Sequence, residues 1–354
     1  MADAAPTDSE NPSVTDIVLE GGGVKGLALA GALQPFGDAG YSFARVGGTS
    51  AGALVGAVLA ALQQRGEPVS RIEDVARTLD FRRFPDRGFP GRYLGPLGIV
   101  ADGLSVLLED GAYEGRYVRS WLSGVLGDLG VDTFGDLRTA DAGDDGTVHS
   151  RYRLAVTASD LSRKRLVYLP WQYDEYGLDP DEQRVVDAVR ASASIPYFFE
   201  PVSLTGPAGT STLVDGALVS NYPISMFDRE DGLPPRWPTI GVRLSSLERV
   251  PDVEAAPVRG PIQLGAALVE TAIEACQADH VMDPCNVART VAVNTTEVSA
   301  VDFDIDAAQR DRLIEVGRST AERFLAEWDY PTWLSDCRSS APPAGQSSGR
   351  SSSA

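Results

Sequence analysis

Lysine and histidine are nearly missing from this chain. Its 354 residues hold only Lys25 and Lys164, and only His149 and His280, so all other cationic side chains are arginines. Acid outnumbers base: 50 Asp and Glu against 31 Lys and Arg leave a formal net charge of -19. That balance excludes a nucleic-acid partner, because no basic stripe offsets the repulsion from phosphates. It also excludes electrostatic docking on an anionic membrane surface. Cysteine is scarce too. Cys276, Cys285 and Cys337 are too few and odd in number for a disulfide framework, so the expected setting is a reducing one, cytoplasmic and at most peripheral to membranes. No apolar run approaches the roughly 18 residues of a transmembrane helix, and the opening MADAAPTDSENPSVTD is acidic rather than signal-like. A soluble globular protein is expected.

What is present has a clear order. Residues 1–13 are polar, and residues 338–354 are nearly pure Ser, Ala, Pro and Gly; both read as disordered tails flanking one domain over 14–330. Val14 to Glu20 reads as a buried strand, Leu27 to Phe36 as a helix and Tyr41 to Val46 as a second strand. A small-residue helix then runs to about Gln64. A chain that opens strand, turn, helix, strand, turn, helix predicts an α/β fold with a mostly parallel sheet. Residues 81–121 are aromatic, Gly- and Pro-rich and without period, which predicts an irregular cover leading into helices that include Tyr117 to Leu126. Further strands are expected at 153–157, 166–169, 211–214, 239–244 and 290–294. Helices are expected at 185–192, 261–280 and 307–328.

Two glycine-rich turns carry the chemistry. Gly48-Thr49-Ser50-Ala51-Gly52 has the G-x-S-x-G form, in which a serine sits on a tight strand-to-helix turn with its hydroxyl exposed. A plain glycine turn would read the same way. Gly21-Gly22-Gly23-Val24-Lys25-Gly26 also lies between a strand and a helix, where outward amides can hold an anion. That anion could be a dinucleotide pyrophosphate or the oxyanion of an acyl-transfer intermediate. The dinucleotide reading requires an acid closing the second strand, and Arg45-Val46-Gly47-Gly48 supplies none.

A serine nucleophile needs a base. His149 lies in a polar stretch and His280 ends a predicted helix, so neither is an obvious partner. Cys276, His280 and Cys285 match no standard zinc spacing, and neither a metal nor a cofactor is expected. Asp215, in Leu213-Val214-Asp215-Gly216-Ala217, ends an apolar strand and could be the base. It could equally be an ordinary turn-forming Asp-Gly.

GGGVKG, GTSAG and DGA in that order resemble the patatin-like phospholipase family. The resemblance extends to the segments Ala188–Pro196, Phe199–Val202, Asn221–Pro223 and Thr133–Leu137, and spans about residues 14–330. It implies a three-layer α/β/α sandwich and a serine hydrolase with a Ser50–Asp215 dyad that uses no histidine. The implied oxyanion hole comprises the amides of Gly21, Gly22 and Gly23 with that of Ala51. Lys25, Gly26, Gly48, Gly52, Gly216 and Ala217 would support the motifs, with Lys25 at a position where the family usually has Arg or Lys. Burial is expected to raise the pKa of Asp215 into a useful range. The implied substrate is a lipid or another acyl ester, reached through transient apolar contact with a membrane or micelle. Residues 81–121 would form a cap in which Phe81, Phe84, Phe89, Tyr93 and Leu94 offer an acyl path. The same dyad could serve a thioesterase or acyltransferase, and the scaffold could serve a lipid-binding regulatory protein.

Overall fold

Ile17-Val18-Leu19 offers water no polar face, and in the computed structural model all three are fully buried within a central strand. The structure describes residues 13–84, 115–139, 148–229, 231, 233–244, 258, 267–268, 271 and 283–338.

The sheet is built on β1 (Val14–Leu19), which pairs in parallel with β2 (Ser42–Gly48) on one edge and β7 (Thr239–Arg243) on the other. Next to β2 lies β3 (Leu154–Asp160), also parallel, and next to β7 lies β8 (Thr290–Ala292). β4 (Arg165–Leu169) and β6 (Gly209–Asp215) both run antiparallel to β3, and β5 (Val202–Gly206) runs antiparallel to β6. The path is β5-β6-β3-β2-β1-β7-β8, with β4 attached to β3. β1, β3 and β7 are almost wholly buried, as parallel strands covered on both faces should be.

Helices flank this mostly parallel sheet: α1 (Gly26–Asp38), α2 (Ala51–Arg65), α3 (Arg71–Arg77), α4 (Arg116–Asp128), α5 (Val185–Ser192), α6 (Pro284–Ala288), α7 (Ala307–Glu327) and α8 (Tyr330–Arg338). α1 reads GLALAGALQPFGD and buries ten of its residues, packing along α7. α2 is equally apolar and packs on β2, so the β1–α1 and β2–α2 turns lie side by side at the carboxyl ends of adjacent strands. In open α/β sheets that edge is where ligands bind.

The expected strands and helices appear with shifts of a few residues, α4 at Arg116–Asp128 and α5 at Val185–Ser192. Of the helix expected at 261–280 only residues 267, 268 and 271 are described, and they are helical; most of the 81–121 cover lies outside the described residues. So do both tails, apart from Ser13 and Arg338. One expectation is corrected. Cys285 and Cys337 form a disulfide, with Cα atoms 5.5 Å apart, joining α6 to α8. An odd number of cysteines argues against a framework but says nothing about one pair, and folding brings these two together across 52 residues of sequence. α8 also carries structure past the expected limit at residue 330. Trp333 donates its indole N–H to the Cys285 carbonyl at 2.9 Å. Among the described residues no helix is long and apolar enough to cross a membrane.

Candidate active site

Ser50 stands between the last residue of β2 pairing and the first turn of α2, with φ of 54° and ψ of -120°. A side-chain-bearing residue at positive φ is strained and persists only where its surroundings over-determine it. The surroundings here do so. The turn is so tight that a Cβ on Gly48 would lie 2.8 Å from the Ala53 nitrogen, and one on Gly52 would lie 2.7 Å from the Glu20 carbonyl oxygen. Only glycine fits either side of the serine. The Ser50 amide, which cannot join the helix, donates to Ser192 Oγ on α5 at 2.9 Å. Thr49 and Thr157 share a hydroxyl–hydroxyl bond of 2.6 Å that ties the turn to β3.

Ser50 Oγ donates to Asp215 Oδ2 at 2.7 Å. Asp215 ends β6, where its other oxygen accepts from the Ala217 amide at 2.9 Å and its own amide donates to the Ser194 carbonyl at 2.9 Å. Gly216 opens the 3-10 turn Gly216–Leu218 that presents the Ala217 amide. The carboxyl is 1 % exposed. Burial raises its pKa from 3.8 to about 7, against the smaller opposing pull of the Ser50 hydroxyl and the Ala217 amide. The expected rise is therefore present, and desolvation is its cause.

The Gly21–Gly23 turn runs beside Ser50. Gly23 has φ of +56°, and a Cβ there would lie 2.8 Å from the Ala300 carbonyl carbon, so this turn also depends on glycine. The amides of Gly22, Gly23 and Ala51 have no hydrogen-bond acceptor among the described residues. Gly21 differs: its amide donates to the Asn221 carbonyl at 3.2 Å. Of the four amides expected to face an oxyanion, three therefore lack an acceptor among the described residues, and that of Gly21 is already committed. Lys25 closes the turn before Gly26 opens α1; it is half-buried, and desolvation lowers its pKa against the attraction of Glu20.

Ser50 opens into an apolar cavity walled by Leu27, Leu54, Phe81, Phe84, Trp121 and Phe303, among others. Phe81 and Phe84 of the expected acyl path are thus at the site, whereas Phe89, Tyr93 and Leu94 fall outside the described residues. Arg190 also lines this cavity, with its guanidinium donating to the Ser194 hydroxyl and, at 3.1 Å, to the Glu200 carbonyl. His149 stacks on Trp171 at 4.2 Å and lines a different cavity with Arg45 and Trp237; His280 and Cys276 lie outside the described residues.

Contributors that the sequence did not single out include Ser192, Thr157, Asn221 and Phe303. Ser192 and Asn221 lie in segments that resemble the family, so a signal was present, but nothing in a linear pattern says which backbone group each will meet. A buried hydroxyl held on a raised-pKa carboxyl, beside an apolar cavity and amides with no acceptor among the described residues, can carry out nucleophilic acyl transfer.

A family model described as patatin-like phospholipase matches residues 17–228. The chain is 36% identical over 315 residues to the uncharacterized protein YqhO of Bacillus subtilis, covering 89% of this chain and 99% of that one. It is 27% identical over 251 residues to patatin-like protein 1 of Arabidopsis thaliana, covering 63% of this chain and 54% of the plant protein. Among solved structures, VipD from Legionella pneumophila superposes with a TM-score of 0.52 at 16% identity, covering 90% of this chain and 69% of VipD, a likeness of fold.

Proposed function

The chain belongs to the patatin-like phospholipase family, and from that premise we propose that it is a lipid acyl hydrolase that cleaves carboxylic esters through Ser50 and Asp215. The observation that carries the reading is the 2.7 Å bond from Ser50 Oγ to a carboxyl whose pKa is raised to about 7. A carboxylate of ordinary pKa would be a feeble base toward an alcohol. One poised near neutrality accepts the proton with a better driving force.

In the proposed reaction Ser50 Oγ attacks the ester carbonyl carbon while its proton passes to Asp215 Oδ2. The carbonyl oxygen takes the negative charge and accepts hydrogen bonds from the amides of Gly22, Gly23 and Ala51. Removal of one such donor typically costs about 2.7–4 kcal/mol of transition-state stabilisation. The tetrahedral intermediate collapses as Asp215 returns the proton to the departing alcohol oxygen, leaving an acyl group on Ser50. Water, deprotonated by Asp215, then attacks the acyl carbonyl, and the same amides hold the second oxyanion. Fatty acid leaves as Ser50 recovers its proton. The apolar cavity beside Ser50 suits an acyl chain, and the absence of charge along most of its wall supports a lipid over a polar ester. The net charge of -19 favours neutral, zwitterionic or dispersed substrates over anionic bilayers.

Hydrolysis of p-nitrophenyl esters and of phosphatidylcholine micelles tests the reading. Activity should be present in the wild-type chain and lost in Ser50→Ala and Asp215→Asn, with His149→Ala unaffected. Equal activity in Ser50→Ala would overturn it.

A further inference from the structure

One short segment links the Asp215 turn to the Gly21 turn. From Gly216, whose carbonyl accepts from the Ser220 amide at 2.9 Å, the chain passes under Thr49, whose hydroxyl donates to the Ser220 carbonyl at 3.3 Å. It ends at Asn221, which is more than nine-tenths buried. Asn221 grips Gly21 from both sides of the residue. The Gly21 amide donates to the Asn221 carbonyl at 3.2 Å, and the Asn221 side-chain Nδ2 donates to the Gly21 carbonyl at 3.2 Å.

The second bond sets a direction. A trans peptide unit is planar, with its C=O and the following N–H pointing opposite ways. A Gly21 carbonyl held on Nδ2 therefore fixes the heading of the Gly22 N–H, one of the amides beside Ser50 that has no acceptor among the described residues. The carboxamide can sit only one way round, because a flip would set Oδ1 against the Gly21 carbonyl, acceptor against acceptor. In the observed orientation Oδ1 is buried with no hydrogen-bond partner among the described residues, in the space that a Cβ on Gly21 would fill. An unmet buried acceptor costs stability, so this asparagine is a poor choice for stability alone. Its value lies in what it aims.

We propose that Asn221 is a positioning residue for the oxyanion turn. It locks the Gly21–Gly22 peptide so that the Gly22 amide stays pointed at the carbonyl oxygen of an ester on Ser50. The assignment rests on Ser50 being the nucleophile. An amide that wanders by an ångström loses most of its transition-state advantage while contributing little to ground-state binding.

The test uses the full chain with p-nitrophenyl butyrate as substrate and an alkyl trifluoromethyl ketone as inhibitor. The ketone's hemiketal on Ser50 carries the oxyanion charge, whereas the Michaelis complex does not. Asn221→Ala should lower kcat about ten- to hundredfold with KM within twofold, and should weaken the ketone by the same factor as kcat/KM. Asn221→Asp keeps the shape but presents only acceptors to the Gly21 carbonyl, and should lose at least as much at pH 8. A thermal unfolding midpoint within a few degrees of wild type should accompany both changes. A folded variant of either kind with kcat and ketone affinity within threefold of wild type overturns the proposal. So does a fall in kcat without a matching loss of ketone affinity, and so does failure of both variants to fold, which would assign Asn221 to stability. Wild-type activity that vanishes in Ser50→Ala but is indifferent to Asn221 sinks this proposal alone. Wild-type activity that is absent, or that survives Ser50→Ala, sinks the hydrolase reading first.

Discussion

Replacing Asp215 by asparagine should stabilise this protein while disabling it, and the structure sets both the size and the pH window of the effect. Burial moves the carboxyl from 3.8 to about 7. Between those values the folded chain holds a proton that the unfolded chain has already released. Stability therefore declines as pH rises through the window and stays reduced above about 7. At about 1.36 kcal/mol per pH unit, the burden on the wild-type chain at pH 8 reaches about 4 kcal/mol. Asparagine has the same shape, can still accept from the Ala217 amide and has no charge to bury. Some of the gain is offset by weaker bonds to Ser50 and Ala217, so about 2–4 kcal/mol is expected at pH 8 and less than about 1 kcal/mol at pH 4.5. Urea unfolding followed by the fluorescence of the five tryptophans reads this as an increased midpoint at pH 8 that shrinks on acidification. Ester hydrolysis by the same variant should fall by roughly 10²–10⁴-fold. An Asp215→Asn chain less stable than wild type at pH 8, or stabilised equally at both pH values, would refute the reasoning.

Four other outcomes follow from the same geometry. The acidic limb of the kcat/KM profile on a neutral ester should have its midpoint near 7, where Asp215 loses its proton, and a midpoint near 4 would contradict the burial argument. Ser192→Ala leaves the Ser50 amide buried without an acceptor; a loss of about 1–3 kcal/mol in urea titration is expected, together with a drop in kcat as the turn carrying Ser50 relaxes. Leu54→Trp places an indole in the apolar cavity and should cut hydrolysis of p-nitrophenyl palmitate at least tenfold relative to the butyrate ester; an unchanged ratio would show that the acyl chain takes another route. Cys285→Ser opens a link across 52 residues of sequence and should lower stability by about 2–4 kcal/mol under non-reducing conditions, an effect abolished when wild type is measured in dithiothreitol.

The parts of this molecule that could be read from sequence are those where local chemistry leaves one answer. Gly48 and Gly52 flank Ser50 because no side chain fits there, and β1 announces itself because Ile17-Val18-Leu19 has no wet face. The neighbouring turn at Gly21–Gly23 was legible through its run of three glycines between a strand and a helix, although the Ala300 backbone that crowds Gly23 lies far along the chain. The finer assignments depend on contacts between residues far apart in sequence. That the Gly21 amide is committed to Asn221, 200 residues away, cannot be seen in GGGVKG. Likewise Ser192 meets the Ser50 amide only because α5 packs on α2, and Phe303 joins the cavity wall from the far end of the chain. The cysteine count misled because a tally carries no geometry. Asp215 lay between these extremes: its turn-forming role is local and real, through Ala217, and its bond to Ser50 is added by the pairing of β6 with β3.

The claim on which the rest depends is that Ser50, activated by Asp215, takes up the acyl group. Mass-spectrometric mapping of a fluorophosphonate adduct on the intact chain tests it most directly. The account predicts one adduct on the peptide carrying Ser50, none in Ser50→Ala, and markedly slower labelling in Asp215→Asn. An adduct on any other residue, or ester hydrolysis that persists while Ser50 stays unlabelled, would contradict it.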